Sequence, residues 1–155
     1  GKTASLEDKS KWLIEKNENY LELISHMNPS EILPGVSQFL KEIKEQGYMI
    51  ALGSASKNAQ IILEKTGLIS WFDKIIDGNS VQKSKPDPEV FLKGAEALNV
   101  LPEECIVFED AQAGIEAAKK GGMKTIGIGD PDVLKEADKV IPSFLHISAN
   151  NLLNF

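Results

Sequence analysis

The chain has 155 residues, of which 42% are hydrophobic and 26% charged, as in an ordinary globular domain and unlike disordered, collagen-like or coiled-coil chains. Its 17 basic and 23 acidic residues give a net charge of -6, and no apolar run is long enough to span a membrane. We therefore expect a soluble, cytoplasmic protein with no nucleic-acid or membrane partner. The single cysteine, Cys105, excludes an internal disulfide and a cysteine-based zinc site.

The N-terminal part of the sequence predicts two helices. Apolar residues recur at helical spacing through the first thirty residues, until Asn28-Pro29-Ser30 interrupts the pattern. A second, shorter helix presents Val36, Phe39, Leu40 and Ile43 on one face, and Gly47 ends it.

From Tyr48 onward, short apolar runs alternate with helical segments. We predict five strands, over 48–52, 74–76, 105–108, 123–128 and 140–141. The helices between and after them run through Ile61 and Ile62 to Gly67, from Pro88 to Leu98 with Asp87 as the cap, over 112–120, over 133–137 and, at the end of the chain, over 147–153. This alternation predicts an α/β fold with a doubly wound, Rossmann-like parallel sheet. Ligands of such sheets bind at the carboxyl ends of the strands, so the residues that follow each strand are the candidates for a site.

The first such segment, 53–58, has the sequence Gly-Ser-Ala-Ser-Lys-Asn. Two hydroxyls, accessible backbone N–H groups, a lysine and an amide lead into a helix N-terminus, and such a loop favours anions. Serine and asparagine are also common in side-chain-to-backbone turns and helix caps. An anion-binding loop and a simple turn are both consistent with this segment alone.

The second segment places Lys85 before Pro86. A proline biases the preceding residue toward an extended backbone, from which the lysine ammonium can point back over the sheet edge. There it would offset the charge of a phosphate. The alternative is a solvated lysine in a proline-rich loop.

The third segment places two carboxylates, Glu109 and Asp110, directly after an apolar strand. Adjacent carboxylates repel one another unless a cation or hydrogen bonds hold them, and oxygen ligands in a partly solvated site suit Mg²⁺. The alternative is that Asp110 caps the following helix, and the segment alone favours neither interpretation.

Together the three segments indicate phosphoryl transfer. That chemistry requires donors for the phosphoryl oxygens, a cation that offsets negative charge, and a Mg²⁺ site. Hydroxyls, a lysine and paired acids follow successive strands in this order, and three unrelated structural explanations would be a coincidence.

These motifs resemble those of the haloacid dehalogenase superfamily of aspartate-dependent phosphotransferases. Ser54 at the end of a strand matches the second motif of that family, and Lys85 in its Lys-Pro loop matches the third. The acidic pair in Phe-Glu-Asp-Ala-Gln-Ala-Gly-Ile matches the fourth. The runs Ser-Ala-Ser-Lys-Asn over 54–58 and Lys-Asn-Glu-Asn-Tyr over 16–20 most resemble the β-phosphoglucomutase branch, although sugar-phosphate phosphatases of the same branch share Ser-Ala-Ser.

The resemblance implies a role for each of these residues. Ser54, the Ala55 amide and Lys85 would hold the transferring phosphoryl group, Glu109 and Asp110 would complete a Mg²⁺ site, and Ser56, Lys57 and Asn58 would hold the other phosphate of a sugar bisphosphate. Residues 1–30 would form the C-terminal half of a helical cap that excludes water, in which Lys2 matches a substrate-contacting lysine. Residues 31–155 would form the phosphotransferase core without its first strand.

The sequence departs from the family at one point. The first motif, Asp-x-Asp followed by Gly, supplies the nucleophile, the general acid/base and a Mg²⁺ ligand, and here the only Asp-x-Asp is Asp130-Pro131-Asp132, in the wrong place. We therefore expect the C-terminal part of a longer mutase that interconverts β-glucose 1-phosphate and glucose 6-phosphate through an aspartyl-phosphate. Without its missing N-terminal segment, this part should be inactive. The alternatives are a sugar-phosphate phosphatase of the same branch and a non-catalytic phosphate-binding module.

Overall fold

The computed structural model describes residues 6–152, with side chains described over 15–151, so that Lys2 and the end of the predicted terminal helix at Leu153 lie outside the described residues. The elements in chain order are α1 (Leu6–Ser25), α2 (Val36–Glu45), β1 (Ala51–Gly53), α3 (Ala59–Thr66), β2 (Lys74–Ile76), α4 (Glu89–Leu98), β3 (Ile106–Glu109), α5 (Gln112–Lys120), β4 (Lys124–Ile128), β5 (Lys139–Ile141) and α6 (Ala149–Leu152). None of the described helices is long and apolar enough to cross a bilayer.

The strands form two parallel sheets. In one, β1 pairs with β2, so that Leu52 lies opposite Ile75. In the other, β4 lies between β3 and β5, with Ile126 opposite Phe108 on β3. The predicted α/β fold with parallel strands is confirmed, but within the described residues β1 and β3 each keep one edge without a strand partner.

Helices cover both faces of the larger sheet, as expected for a doubly wound fold. On one face, Phe39 and Ile43 of α2 and Ala149 of α6 bury the apolar side chains of Ile126 and Ile141. The rings of Phe39, Phe108 and Phe144 lie against one another, with centroids 5.0 to 5.8 Å apart. On the other face, Ala95 of α4 and Ala118 of α5 pack on Val107 and Met123.

A cavity separates the two sheets. The residues that line it include Met49, Ala51 and Gly53 on the β1 side and Ile106 and Val107 on the β3 side. We call the space between these residues the inter-sheet slot. Its larger part has a volume of about 280 Å³, and its walls are predominantly apolar.

The first predicted strand, 48–52, is wrong at its start. The structure has β1 at Ala51–Gly53, and the side chains of Tyr48 and Met49 are half exposed. The Tyr48 N–H donates to the Ile43 carbonyl, so that Tyr48 still closes the C-terminus of α2 behind the left-handed Gly47. An apolar run therefore spans a helix cap and a strand, which composition alone does not separate.

Two helix predictions also need correction. Residues 133–137 form turns rather than a helix: the Leu134 N–H donates to the Asp130 carbonyl and the Ala137 N–H to the Leu134 carbonyl, without the continuous i→i−4 bonds of a helix. Helix α4 begins at Glu89, with Pro88 at the cap position. Asp87, the predicted N-cap, lies one residue before the observed cap position, but its carboxylate still accepts a hydrogen bond from the Glu89 N–H at 3.0 Å.

Candidate active site

The chain turns through residues 54–58 between β1 and α3. Ser54 Oγ accepts a hydrogen bond from the Ser56 N–H at 3.1 Å, and Ser56 Oγ accepts one from the Asn58 N–H at 3.2 Å. The serine side chains therefore form the predicted side-chain-to-backbone turns, and this does not exclude anion binding by the same loop. Asn58 occupies the cap position of α3 but makes no side-chain cap bond. No acceptor among the described residues is recorded for the N–H groups of Ala55 and Lys57, which an anion could use.

The Lys85 ammonium lies at the carboxyl ends of β1 and β3. Its Nζ atom is 2.6 Å from Glu109 Oε2 and 3.5 Å from the Gly53 carbonyl oxygen, and it lies 4.6 Å from the ring centroid of Phe91. The side chain is 20% exposed. The predicted direction, back over the sheet edge, is confirmed, and the solvated-loop alternative is wrong.

The Glu109 carboxylate is held on all sides. One oxygen pairs with Lys85, and the other accepts hydrogen bonds from the Asp110 and Ala111 N–H groups at 3.2 and 3.1 Å. Gly114 in the first turn of α5 leaves room for this carboxylate, because a Cβ at that position would collide with it. Such a fixed carboxylate is preorganised for a cation.

Asp110 does not cap α5. Ala111 occupies the cap position and has no side-chain cap bond, while Asp110 is exposed at the same edge as Glu109. The capping interpretation of Asp110 is therefore wrong. Its carboxylate is left available for a ligand or solvent.

A second turn, residues 77–80, supports the 54–58 loop from behind. The Gly78 N–H donates to the Ser56 carbonyl at 3.1 Å, and Asn79 Nδ2 donates to the Lys57 carbonyl at 3.2 Å. Burial raises the pKa of the Asp77 carboxyl, but hydrogen bonds from Asn79 and Ser80 outweigh it and hold that pKa below its ordinary value.

Ala55 and Lys57 of the 54–58 loop face one cavity of about 290 Å³ together with Lys85, whereas the other predicted site residues (Ser54, Ser56, Asn58, Glu109 and Asp110) do not line it. Ala55 and Lys57 line one part of it, Gly78 another, and Ser84 with Lys85 a third. Two of the three predicted segments, the 54–58 loop and Lys85, therefore meet at this cavity. Glu109 of the third segment lies outside the cavity and contacts Lys85 through an ion pair. Lysine side chains around a small cavity beside open N–H groups suit a phosphate.

The acidic pair partly fits Mg²⁺. The donors are carboxylate oxygens, which this ion prefers, and Mg²⁺ commonly takes one or two carboxylates together with water and phosphate oxygens. However, the described part of the chain holds no group of three or more His, Cys, Asp or Glu side chains that could bind a metal. Glu109 and Asp110 could therefore hold the ion only with ligands from elsewhere.

Sequence reasoning missed four supporting residues: Gly78, Asn79, Phe91 and Gly114. All four act on a motif residue across space: Gly78 and Asn79 donate hydrogen bonds to loop carbonyls, the Phe91 ring contacts the Lys85 ammonium, and Gly114 leaves room for Glu109. Only Gly114 carried a signal, because a glycine in the first turn of a helix beside two acids indicates close packing.

Comparison with known proteins agrees with this geometry. Residues 2–128 match the haloacid dehalogenase-like hydrolase family. A β-phosphoglucomutase from Bacillus subtilis is 39% identical over 134 residues, which cover 86% of this chain and 59% of that protein. A phosphorylated carbohydrates phosphatase from Thermotoga maritima is 36% identical over 121 residues, 72% of this chain and 56% of that protein.

A solved structure is similar over nearly the whole chain. The crystal structure of a β-phosphoglucomutase from Clostridium difficile superposes with a TM-score of 0.90 at 38% identity, covering 96% of this chain and 67% of that one. The matched part of the chain spans 59% and 56% of the lengths of the two relatives named in the preceding paragraph, less than two thirds in each case. On its sequence and its fold, it belongs to the haloacid dehalogenase-like hydrolase family.

Proposed function

We propose that residues 1–155 are part of a Mg²⁺-dependent β-phosphoglucomutase of the cytoplasm, which interconverts β-glucose 1-phosphate and glucose 6-phosphate through an aspartyl-phosphate. The observation that carries the proposal is the Lys85 ammonium, held between Gly53 and Glu109 at the point where the 54–58 loop begins. The relatives named β-phosphoglucomutase support the choice of reaction.

In this proposal the chain's own residues bind and orient phosphoryl groups. Ser54 and the Ala55 N–H bind the transferring group, and Lys85 offsets its charge. Ser56, Lys57 and Asn58 bind the second phosphate of the sugar bisphosphate intermediate. Glu109 and Asp110 contribute to holding Mg²⁺, which when bound would neutralise phosphoryl charge.

The domain assignment extends from the same proposal. Residues 1–30 are the C-terminal half of a helical cap, and residues 31–155 are the core. Helix α1 contacts α3 and has a buried Ile24, while Leu23 is 70% exposed and Tyr20 is 38% exposed. An exposed apolar face of this kind is consistent with a helix that packs against the other half of a cap.

The missing N-terminal segment is the proposed partner of the inter-sheet slot. In a strand, the N–H and C=O groups of one residue point to the same side, and successive residues alternate. The Ile50 carbonyl and the Ser54 N–H bond toward β2, so Ala51 and Gly53 face the slot. The Cys105 carbonyl bonds toward β4, so Ile106 and Phe108 face the slot from the other side. An extended strand parallel to β1 and β3 would satisfy both edges and end beside Lys85.

Activity assays test the proposal directly. Residues 1–155 contain no Asp-x-Asp-Gly motif, so the chain alone should not convert β-glucose 1-phosphate in a coupled assay with Mg²⁺. Addition of an upstream segment that carries an apolar strand and this motif should restore conversion. Turnover by the 155 residues alone, well above that in buffer, would contradict the proposal.

A phosphatase of the same branch is the second candidate, because a relative named as a phosphatase of phosphorylated carbohydrates is 36% identical. A phosphatase of small monophosphates does not need a second phosphate site. The restored protein should therefore isomerise its substrate without releasing inorganic phosphate. Release in step with substrate loss would favour the phosphatase.

Lys57 separates the two candidates at the level of binding. Loss of a charged hydrogen-bond donor costs about tenfold or more in affinity, so Lys57→Ala should weaken glucose 1,6-bisphosphate binding by about that factor. Inorganic phosphate, which needs only the Lys85 end of the site, should bind nearly as before. The matched control is Lys65→Ala, at the far end of α3, which should change neither affinity. Equal losses for both ligands would argue against a second phosphate site at Lys57.

A further inference from the structure

The 77–80 turn is organised around one carboxylate. The Asn79 N–H and the Ser80 hydroxyl both donate to Asp77 Oδ1 at 3.0 Å, and Asn79 Nδ2 donates to Asp77 Oδ2 at 2.9 Å. Lys93 of α4 donates to the Ser80 carbonyl at 2.6 Å and anchors the turn from outside. Residue 79 therefore has a fixed side chain although it lies on the surface.

The same turn donates hydrogen bonds to carbonyl groups of the 54–58 loop. Gly78 donates its N–H to the Ser56 carbonyl, and the Asn79 amide donates its second bond to the Lys57 carbonyl. The approach is so close that a Cβ on Gly78 would collide with the Ala55 carbonyl oxygen. Two consecutive peptide groups of the loop are thus held by one turn.

Holding the carbonyls also fixes the N–H groups. In a trans peptide the C=O and N–H bonds of one unit point in opposite directions. With the carbonyls of Ser56 and Lys57 drawn to the turn, the N–H groups of Lys57 and Asn58 point away from it. The Asn58 N–H shows this direction, because it donates to Ser56 Oγ.

We propose that Asn79 is a positioning residue that, together with Gly78, orients residues 56–58 toward the second anionic group of a doubly phosphorylated sugar. This inference rests on the proposed function and deepens it. Asn79 touches no ligand and acts through the Lys57 carbonyl. Preorganised donors bind an anion without an ordering cost at the moment of binding, so loosening the loop weakens binding even though every ligand-contacting residue is kept.

Ser80 supplies a matched control, because its hydroxyl donates to Asp77 within the turn and does not bond to the 54–58 loop. Asn79→Ala removes the side-chain bonds to both Asp77 and Lys57 and keeps the backbone bond to Asp77. The double variant Asp77→Asn with Asn79→Asp exchanges donor and acceptor within the turn. It keeps the 77–79 side-chain bond but places a carboxylate against the Lys57 carbonyl.

The experiment is a titration of the ¹⁵N-labelled 155-residue chain with glucose 1,6-bisphosphate and, separately, with inorganic phosphate. Loss of one neutral hydrogen bond corresponds to about a three- to tenfold weaker affinity, which we expect for the bisphosphate in both Asn79 variants. Inorganic phosphate should change less than about twofold, and Ser80→Ala should behave as the unchanged chain with both ligands. Equal losses for the two ligands, or a loss in Ser80→Ala as large as that in Asn79→Ala, would overturn the positioning role.

The ligand-free protein separates this inference from the proposed function. Asn79→Ala should shift the Lys57 and Asn58 amide resonances and speed exchange of the Asn58 amide, whereas Ser80→Ala should not. If the unchanged chain binds neither phosphate ligand, the phosphate-binding role proposed for residues 54–58 fails, and the binding role of Asn79 fails with it. If it binds the bisphosphate but the Asn79 variants bind equally well, only the positioning role is lost.

Discussion

At the scale of single residues, the Glu109 carboxylate shows how the site is built. Its side chain is only 9% exposed, yet it carries charge, because Lys85 and two backbone N–H groups compensate that charge. The space for it comes from Gly114, which lies on a different element. Removal of any one of these supports leaves a buried charge less well compensated.

Two buried helix glycines should therefore respond in opposite ways to alanine. A methyl group on Gly114 collides with the Glu109 carboxylate, so Gly114→Ala should lower the free energy of unfolding by about 1–3 kcal/mol. A methyl group on Gly94 meets Ala51 Cβ at 3.8 Å, an ordinary contact, so Gly94→Ala should raise it by about 0.5–1 kcal/mol. Urea unfolding measures both, and a stabilising Gly114→Ala would refute the collision.

The motif residues were predictable because a residue type, a strand end and a proline each leave a local pattern. The direction of the Lys85 side chain, over the sheet edge, could be predicted from Pro86 alone. Its partners could not, since Phe91 and Glu109 reach it through tertiary packing rather than along the sequence. Whether Asp110 capped a helix was equally undecidable, because both interpretations place the same residue at the same helix end.

At the scale of elements, one side chain connects α5, β4 and β5. Asp138, just before β5, accepts hydrogen bonds from Lys119 of α5 at 2.7 Å and from the N–H and hydroxyl of Thr125 in β4, both at 2.8 Å. Thr125 is fully buried, so without Asp138 its hydroxyl would lose this partner. The junction therefore fixes the position of β5 relative to the centre of its sheet.

The pH dependence of stability should show this junction. The hydrogen bond from Lys119, with smaller help from Thr125, holds the pKa of Asp138 below its usual 3.8 although burial opposes the shift. A lowered carboxyl pKa stabilises the fold above the unfolded-state value, and this contribution is lost as the pH falls through the folded-state value. Asp138→Asn should lower the free energy of unfolding by about 1–2 kcal/mol at pH 7.

The control for this prediction is Asp132→Asn, an exposed aspartate in the preceding turn, which should have little effect at any pH. The deficit of Asp138→Asn relative to the unchanged chain should shrink once the pH falls below 3.8. A deficit that stays constant from pH 7 down to strongly acidic conditions would show that charge is not involved.

The predicted boundaries of an element match the structure where a single sequence pattern defines that element. Strand β2 and helix α5 lie at the predicted residues, because each is bounded by a clear change of pattern. Strand β1 did not, since the C-terminal cap of α2 extends into its apolar run. The predicted short helix over 133–137 is wrong, because this segment makes isolated turn bonds instead of a continuous series of helical bonds.

At the scale of the whole molecule, the division into two sheets is the main departure from a continuous sheet. Ala51, Gly53, Ile106 and Phe108 direct backbone groups into the inter-sheet slot, while their neighbours along each strand bond to β2 or β4. In β1 and β3, residues whose backbone groups bond within a sheet thus alternate with residues whose backbone groups face the slot.

Amide hydrogen exchange should reproduce that alternation. The amides of Gly53 and Phe108 should exchange faster than those of Leu52 and Val107, which bond within the sheets. If an N-terminal strand occupies the inter-sheet slot, the Gly53 and Phe108 amides should become as protected from exchange as those of Leu52 and Val107. Equal protection of both pairs in the 155-residue chain would contradict the pattern.

The separation of the sheets also bears on how the chain folds. Within residues 6–152, strands pair only with strands adjacent to them in chain order, so each sheet forms from contacts between neighbouring segments. These pairings join segments closer in sequence than any contact between the two sheets does, so they carry the smaller entropy of loop closure. The β3-β4-β5 unit can therefore assemble before it meets β1 and β2. The step that joins them is the one with a long-range cost, and it should limit the folding rate.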